Sequence, residues 1–248
     1  MDTIKEAARI IKFANFAIAL TGAGISVESG IPAFRGKDGL WARYDPAEYA
    51  HIEAFLRHPA KIWRMLKELD ELLIKAEPNS AHKVLAEMEK EGYLKGIITQ
   101  NVDNLHQKAG SQRVVDFHGN AFRIRCLNCD RVYKRDEVNL NQAVPKCACG
   151  GLLKPDIVFF GEQIPQTALL EAKEMTNACD VMLIIGTSGE VAPANILPFE
   201  AKQHGVKIIE INITKSAYTE AITDIFLQGK ASEVLTALGR ELKIKGGI

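Results

Sequence analysis

Residues 17–20, Ala-Ile-Ala-Leu, are apolar without interruption and run straight into the glycine-bearing stretch TGAGISVESGIPAFRG. A strand that shows no alternation is buried on both faces, as happens in a parallel sheet covered by helices. A second uninterrupted run lies at 181–185, and shorter apolar-rich strand runs at 94–99, 114–118 and 206–211. Stretches with helical spacing lie around them, at 3–14, 79–91, 165–178, 194–204 and 231–242. The expectation is an α/β fold: a Rossmann-like parallel sheet with helices on both faces. Two segments break the rhythm. Residues 37–77 have helical spacing and no strand, and residues 121–154 carry clustered cysteines with little helical pattern. Both are expected to fold together into a small lobe. The division is then a large lobe from 1–36, 78–120 and 155–248, a helical insertion at 37–77 and a metal-binding module at 121–154.

The glycine stretch starts as a dinucleotide fingerprint does. Gly22 permits a sharp turn after the strand, and Gly24 lets the backbone approach phosphates. It does not continue as one. Val27 stands where the dehydrogenase pattern has its third glycine, and Leu40-Trp41 replaces the acidic residue expected after a second strand. The glycine-lysine-serine/threonine ending of a phosphate loop is also missing. Read alone, the loop fits nucleotide binding or a packing turn.

Cys126-x-x-Cys129 and Cys147-x-Cys149 provide four thiolates. Four cysteines close a tetrahedral zinc site, and closed four-cysteine sites are structural. Gly150 and Gly151 allow the backbone turn that the shortened second pair needs. The nearby Arg123, Arg125, Arg131, Lys134 and Arg135 are diluted by Asp130, Asp136 and Glu137, so a solvated face is expected and not a nucleic-acid site. The whole chain agrees, with 31 basic and 31 acidic side chains in 248 residues. Cys179 reads as a small buried residue. No apolar run reaches the ~18 residues of a membrane span. The N-terminal residues mix Asp2, Lys5, Glu6 and Arg9 with apolar positions, as an amphipathic helix does and a signal peptide does not. With tightly grouped cysteines, this points to a reduced, cytoplasmic location.

His51, His58 and His204 lie in contexts without a partner pattern. His118 follows a short apolar run and precedes a glycine, which puts it where parallel sheets bind ligands, at a strand's carboxyl end. Gln100-Asn101-Val102-Asp103 also follows a strand directly. Asn101 and Asp103 offer a donor and acceptor set suited to a carboxamide, and Asp103 equally suits a helix N-cap.

GAGIS followed by ESGIPAFRG resembles the signature of the sirtuins, the Sir2-type NAD-dependent protein deacylases. The resemblance continues in the family's order through PNSAH (78–82), TQNVDNLHQKAG (99–110), HGN (118–120), the cysteine pairs, KPDIVFFGE (154–162), GTS (186–188), EIN (210–212) and GKASEV (229–234). It implies an enzyme that cleaves NAD to nicotinamide and transfers an acetyl group from lysine to ADP-ribose, giving O-acetyl-ADP-ribose. It also implies a compact catalytic core. His118 becomes the general base, with Asn101 beside it in catalysis. NAD contacts fall on Gly22, Ala23, Gly24, Ser26, Phe34, Arg35, Gln100, Asn101, Val102, Asp103, Gly186, Thr187, Ser188, Asn212, Lys230 and Ala231. Phe34-Arg35 becomes a lid over the nicotinamide ribose. The acetyl-lysine peptide is expected between two segments, on Val158, Phe159, Phe160, Gly161, Glu162 and Val191. Zinc on Cys126, Cys129, Cys147 and Cys149 holds the small lobe and does no chemistry. His82 and His106 match structural positions, expected to bond loop backbone.

Two departures qualify the resemblance. Gly189 and Glu190 replace more usual apolar residues, and Glu190 with Glu162 is expected to favour basic residues flanking the acetyl-lysine. Family members that remove succinyl or malonyl groups carry a tyrosine and, three residues on, an arginine in the helical insertion; the matching positions here are Leu66 and Leu69. Acetyl and larger apolar acyl groups are therefore expected, and acidic ones disfavoured. The rival reading is a protein mono-ADP-ribosyltransferase using the same NAD site. A zinc-ribbon or ADP-ribose binding module without catalysis is a second, against which the intact QNVD and HG motifs argue. Val27 disfavours a plain dehydrogenase. No membrane and no direct nucleic-acid partner is expected.

Overall fold

The computed structural model describes residues 2–33 and 39–244. In chain order the elements are α1 (Asp2–Lys12), β1 (Ala17–Thr21), α2 (Leu40–Arg43), α3 (Pro46–Tyr49), α4 (Ile52–Arg57), α5 (Pro59–Lys75), α6 (Ser80–Lys90), β2 (Ile97–Thr99), α7 (Leu105–Ala109), β3 (Val114–Asp116), β4 (Gly119–Cys126), β5 (Val132–Lys134), β6 (Leu153–Ile157), α8 (Gln166–Ala178), β7 (Val181–Ile185), α9 (Leu197–Gln203), β8 (Lys207–Asn212), β9 (Ile225–Gln228) and α10 (Ala231–Leu242). The helical spacing of 52–75 divides into α4 and α5 because Pro59 starts a new helix, with His58 as the residue between them.

Six strands form one parallel sheet in the order β3-β2-β1-β7-β8-β9. Counted among themselves, this is the doubly wound order 3-2-1-4-5-6, whose reversal point lies between β1 and β7. The uninterrupted apolar runs are explained by burial on both faces. Ala17, Ala19, Leu183, Ile185, Ile209 and Ile211 pack toward α1, α6 and α10. Ile18, Leu20, Met182, Ile184 and Ile208 pack toward α8 and α9. The strand β9 closes the sheet on one side; its four residues were not distinguished in the sequence.

A second, antiparallel sheet has the order β5-β4-β6 and carries the cysteines. Its Ile124, Cys126 and Leu153, with Cys147 and Phe159 from the adjoining loops, share one core with Phe55, Ile62, Trp63, Met65 and Leu66 of the helical insertion. The Trp63 indole N–H donates to the Leu153 carbonyl at 3.0 Å inside that core. The two rhythm-breaking segments thus stabilise each other, as expected. The chain passes from the large sheet to the small one between Asp116 and Gly119, so His118 stands at the join. Gly119 has φ +80°, and a Cβ there would lie 2.0 Å from the Asp156 carbonyl oxygen, so no other residue fits the crossing.

Candidate functional site at the sheet reversal point

The ends of β1, β2, β7 and β8 bring the glycine stretch, the QNVD stretch, the GTS stretch and Asn212 to one edge of the sheet. Gly22 and Gly24 are tighter than a phosphate contact requires. A Cβ on Gly22 would lie 2.7 Å from Thr187 Cβ, and one on Gly24 2.7 Å from Gly186 Cα. Their amides donate to Ile185 O at 3.0 Å and Gly186 O at 2.8 Å. The glycines are therefore required first by the packing of one loop on the other. Beyond them the chain makes two short 3-10 turns, Ala23–Ile25 and Val27–Ser29, where a dehydrogenase has a helix. Asn79 ties this loop down. It caps α6 by accepting from Ala81 N–H, and its amide donates to Ile25 O at 2.8 Å and Ser29 Oγ at 3.0 Å. Phe34 and Arg35, the expected lid, lie outside the described residues.

Behind the loop is a buried polar cluster. Ser26 Oγ donates to Asp103 Oδ2 at 2.6 Å, and Asn101 Nδ2 donates to Ser26 Oγ at 3.1 Å and Gly22 O at 3.2 Å. Asp103 Oδ1 accepts from Leu105 N–H at 3.0 Å, so the capping role read from the sequence is also present. Burial pushes the Asp103 carboxyl up, against the bond from Ser26. Asn101 Oδ1 is buried without a partner among the described residues, and an unmet acceptor of that kind suits a ligand's amide or hydroxyl. Gln100 Nε2 donates to Thr187 Oγ1 at 3.1 Å, and Asn212 Nδ2 to Thr187 O at 3.0 Å. These bonds lock the ends of β2, β7 and β8 together. Lys230 and Ala231 start α10 farther along the same edge, the first exposed and the second buried.

His118 is partly buried, 3.2 Å from the Gln100 carbonyl through Nδ1. A carbonyl only accepts, so Nδ1 carries the hydrogen and Nε2 keeps its lone pair. Burial pushes the imidazole down from its ordinary value, with the bond to Gln100 opposing. The imidazole is thus oriented by Gln100 and favours its neutral form at neutral pH.

The cysteines come together as expected. All four Sγ atoms lie within 4.8 Å of one another, with Cys126 and Cys149 3.5 Å apart and Cys129 and Cys147 3.8 Å apart. Tetrahedral zinc–sulfur bonds of ~2.3 Å require sulfurs about 3.8 Å apart. The shortened pair closes because Gly150, at φ +83°, donates to Cys147 O, and Gly151 approaches Cys126 Sγ where a Cβ would lie 2.7 Å away. The set fits zinc.

The Sir2 family model matches residues 22–193. The chain belongs to the Sir2 family. A Thermococcus kodakarensis protein named NAD-dependent protein deacylase is 49% identical over 248 residues, which cover 96% of this chain and 95% of the relative. Among solved structures, a Sir2 homologue in complex with NAD superposes with a TM-score of 0.91 at 43% identity, covering 96% of this chain and 93% of that one. A Sir2 complex with p53 peptide and NAD+ superposes at 0.90 and 35% identity, covering 98% and 99%.

Within this sirtuin, several residues named from the sequence take a different place. Phe159 is a core residue, edge-on to Phe55 at 5.8 Å, so its side chain is not offered to a peptide. Val158 and Val191 are partly buried and Phe160 is exposed. The carboxylate of Glu162 is paired with Lys154 at 3.0 Å, which removes it as an attraction for basic flanking residues.

His82 and His106 do not bond loop backbone. They pair with hydroxyls: His106 Nε2 with Thr21 Oγ1 at 2.9 Å, and His82 Nε2 with Ser26 Oγ at 3.4 Å. Their rings meet edge-on at 4.9 Å, and both Nδ1 atoms lack partners among the described residues. Thr21 also donates to Thr99 Oγ1 at 2.9 Å. This second tier beneath the pocket was missed because a threonine ending a strand carries no local signal. Burial pushes His82 down to about 4 and His106 well down, the neighbouring His82 adding to the second shift. The unfolded chain takes up these protons as pH falls through about 6.5, and the folded chain refuses them. The stability they contribute is complete above that pH and is lost on acidification. His82 alone is expected to remove on the order of 3 kcal/mol by about pH 4. Urea midpoints measured at about pH 7 and about pH 5 test this. A stability independent of pH across that interval contradicts it.

Proposed function

We propose that this sirtuin is an NAD-dependent protein-lysine deacetylase, removing acetyl and related apolar acyl groups and leaving O-acetyl-ADP-ribose and nicotinamide. The observation that carries the reading is the pair of features at the sheet reversal point. His118, held through Nδ1 by the Gln100 carbonyl with Nε2 unprotonated, and the buried Ser26-Asn101-Asp103 cluster with an unmet acceptor lie at the ends of neighbouring strands. When bound, NAD supplies a ribose carbon that releases nicotinamide and a ribose hydroxyl that receives the acyl group.

The chain's own residues prepare that chemistry. The amides of Gly22, Gly24, Ile25 and Ser26 are spent on backbone carbonyls, and the amide of Ala23, between them, suits the diphosphate. Ser188, exposed at the end of β7, and Asn212 face the same edge and suit phosphate and ribose. Asn101 and Asp103 suit the carboxamide of nicotinamide, with Val102 beside them. His118 takes a proton from a ribose hydroxyl at Nε2, while Gln100 O holds the imidazole as the charge forms. The peptide is placed along 158–162 and at Val191, by backbone pairing that tolerates varied sequences.

The deciding experiment supplies NAD and an acetyl-lysine peptide and looks for nicotinamide and O-acetyl-ADP-ribose by mass spectrometry. Adenine-labelled NAD whose label stays on protein supports the ADP-ribosyltransferase reading instead.

Acyl preference gives a further expected result. Leu66 is buried and Leu69 partly buried, and they line a cavity of about 10 Å³ with Trp63, Leu73, Ala121 and Ile157. The nearby Arg135 is bound to Asp70. Among the described residues an acid tail finds no unpaired cation there, and an unpaired buried carboxylate costs several kcal/mol. Succinyl-lysine peptide is expected to react at least ~100-fold more slowly than acetyl-lysine peptide in kcat/KM. Comparable rates refute the assignment.

A further inference from the structure

Lys154, on β6, has a side chain only 5% exposed. An ammonium brings three donors that burial obliges the fold to satisfy. All three go to the stretch that follows it. Nζ donates to Pro155 O at 3.2 Å, Ile157 O at 2.5 Å and Glu162 Oε2 at 3.0 Å, and it lies 4.6 Å from the centre of the Phe159 ring. The same Glu162 oxygen accepts Phe159 N–H at 2.8 Å. The ends of this stretch are held by backbone bonds: Val158 N–H to His118 O at 2.9 Å, and Phe160 to Ala50 and Ile52 at 2.8 and 3.0 Å. One buried charge organises what lies between them.

Stability does not explain this charge. Desolvation drags the ammonium's pKa down, and Glu162 only opposes it. Replacing both members of such a buried pair by well-packed apolar side chains is often neutral for stability. What an ammonium adds is geometry, because it holds three acceptors in a set arrangement. The stretch so held contains Val158, partly buried beside His118, and Phe160, which is 46% exposed.

We propose that Lys154 is a positioning residue for the substrate: with Glu162 it sets the 157–162 stretch in the shape onto which the acyl-lysine peptide is laid, and so governs peptide affinity without touching NAD. This rests on the deacetylase reading above.

The test measures KM for peptide and for NAD separately in the full chain, for wild type, Lys154→Met, Lys154→Arg and Glu162→Gln. Lys154→Met is expected to raise the peptide KM about tenfold or more, with kcat and the NAD KM within about twofold of wild type. Glu162→Gln keeps an acceptor for Phe159 N–H but loses the charge, and shifts the peptide KM less in the same direction. Lys154→Arg restores part of the affinity. An unchanged peptide KM overturns the proposal, as does a parallel rise in both KM values, which is the mark of a general structural role. Should Lys154→Met not fold, Glu162→Gln is judged by the same two criteria. Failure of the deacetylase reading shows in the wild type, which then releases no nicotinamide. Fluorescence anisotropy with a labelled acetyl-lysine peptide in that case decides the role of Lys154 directly, and a wild type that binds no peptide overturns it.

Discussion

His118→Ala is expected to lower kcat/KM for acetyl-lysine peptide by about 10²–10⁴-fold, the usual worth of a positioned general base. The size follows from how little else can do the work. His106 and His82 are buried and engaged with Thr21 and Ser26. Asp103 is already bonded through both oxygens. His118 alone of these combines partial exposure with a lone pair freed by its partner, the Gln100 carbonyl. The pH profile carries the same signature. Burial holds the folded pKa of His118 below the ordinary ~6.5, so the base is ready at neutral pH and activity falls only as pH drops through that lower value. Steady-state kinetics against pH reads both effects. A variant that keeps more than about a tenth of wild-type turnover removes His118 from the reaction.

Metal removal is the second large effect, and its target is the small lobe. Cys126 and Cys147 are buried in the core that joins the antiparallel sheet to the helical insertion, beside Ile124, Leu153 and Trp63. Structural zinc contributes about 10–16 kcal/mol of apparent folding energy in small domains, more than the ~5–15 kcal/mol total of an ordinary protein. Zinc chelation, or Cys147→Ser, is therefore expected to unfold this lobe. The expected readings are loss of the bound metal by elemental analysis, a red shift in Trp63 emission as its bond to Leu153 opens, and loss of turnover. The parallel sheet has its own cores on both faces, so part of the far-ultraviolet dichroism should survive. Metal loss with unchanged emission and activity contradicts a structural role.

The uninterrupted apolar strands were legible because burial on both faces leaves no polar position to place. The helices were legible for the opposite reason, one face wet and one dry. The β9 strand was not, because four residues at a sheet edge carry too short a pattern. The antiparallel sheet was hidden for a different reason: its strands mix charged residues such as Arg123, Arg125, Lys134, Lys154 and Asp156 with apolar ones, which leaves no continuous apolar run. Of the site, the sequence carried every residue that a short motif repeats locally, including the four cysteines, Asn101, Asp103 and His118. It could not carry partners far apart in the chain. The Thr21–His106 bond spans 85 residues and the Ser26–Asp103 bond 77, and only folding brings such groups within reach.

The same division explains the residues whose roles changed. Gly22 and Gly24 are glycines for reasons any sequence shows, but what fills the space of their missing side chains is a loop about 160 residues away. Phe159 and Phe160 are alike on paper, and the irregular stretch after β6 turns one into the core and the other to solvent. Glu162 reads as a free acid until Lys154 is found beneath it. Local chemistry and period, written in the order of residues, determined the fold class and the four clustered cysteines, and placed His118 after a strand, where the family resemblance assigns the base. Which donors were spent, which acceptor stayed unmet and which charge was buried depended on distances through space, and only the tertiary structure decided them.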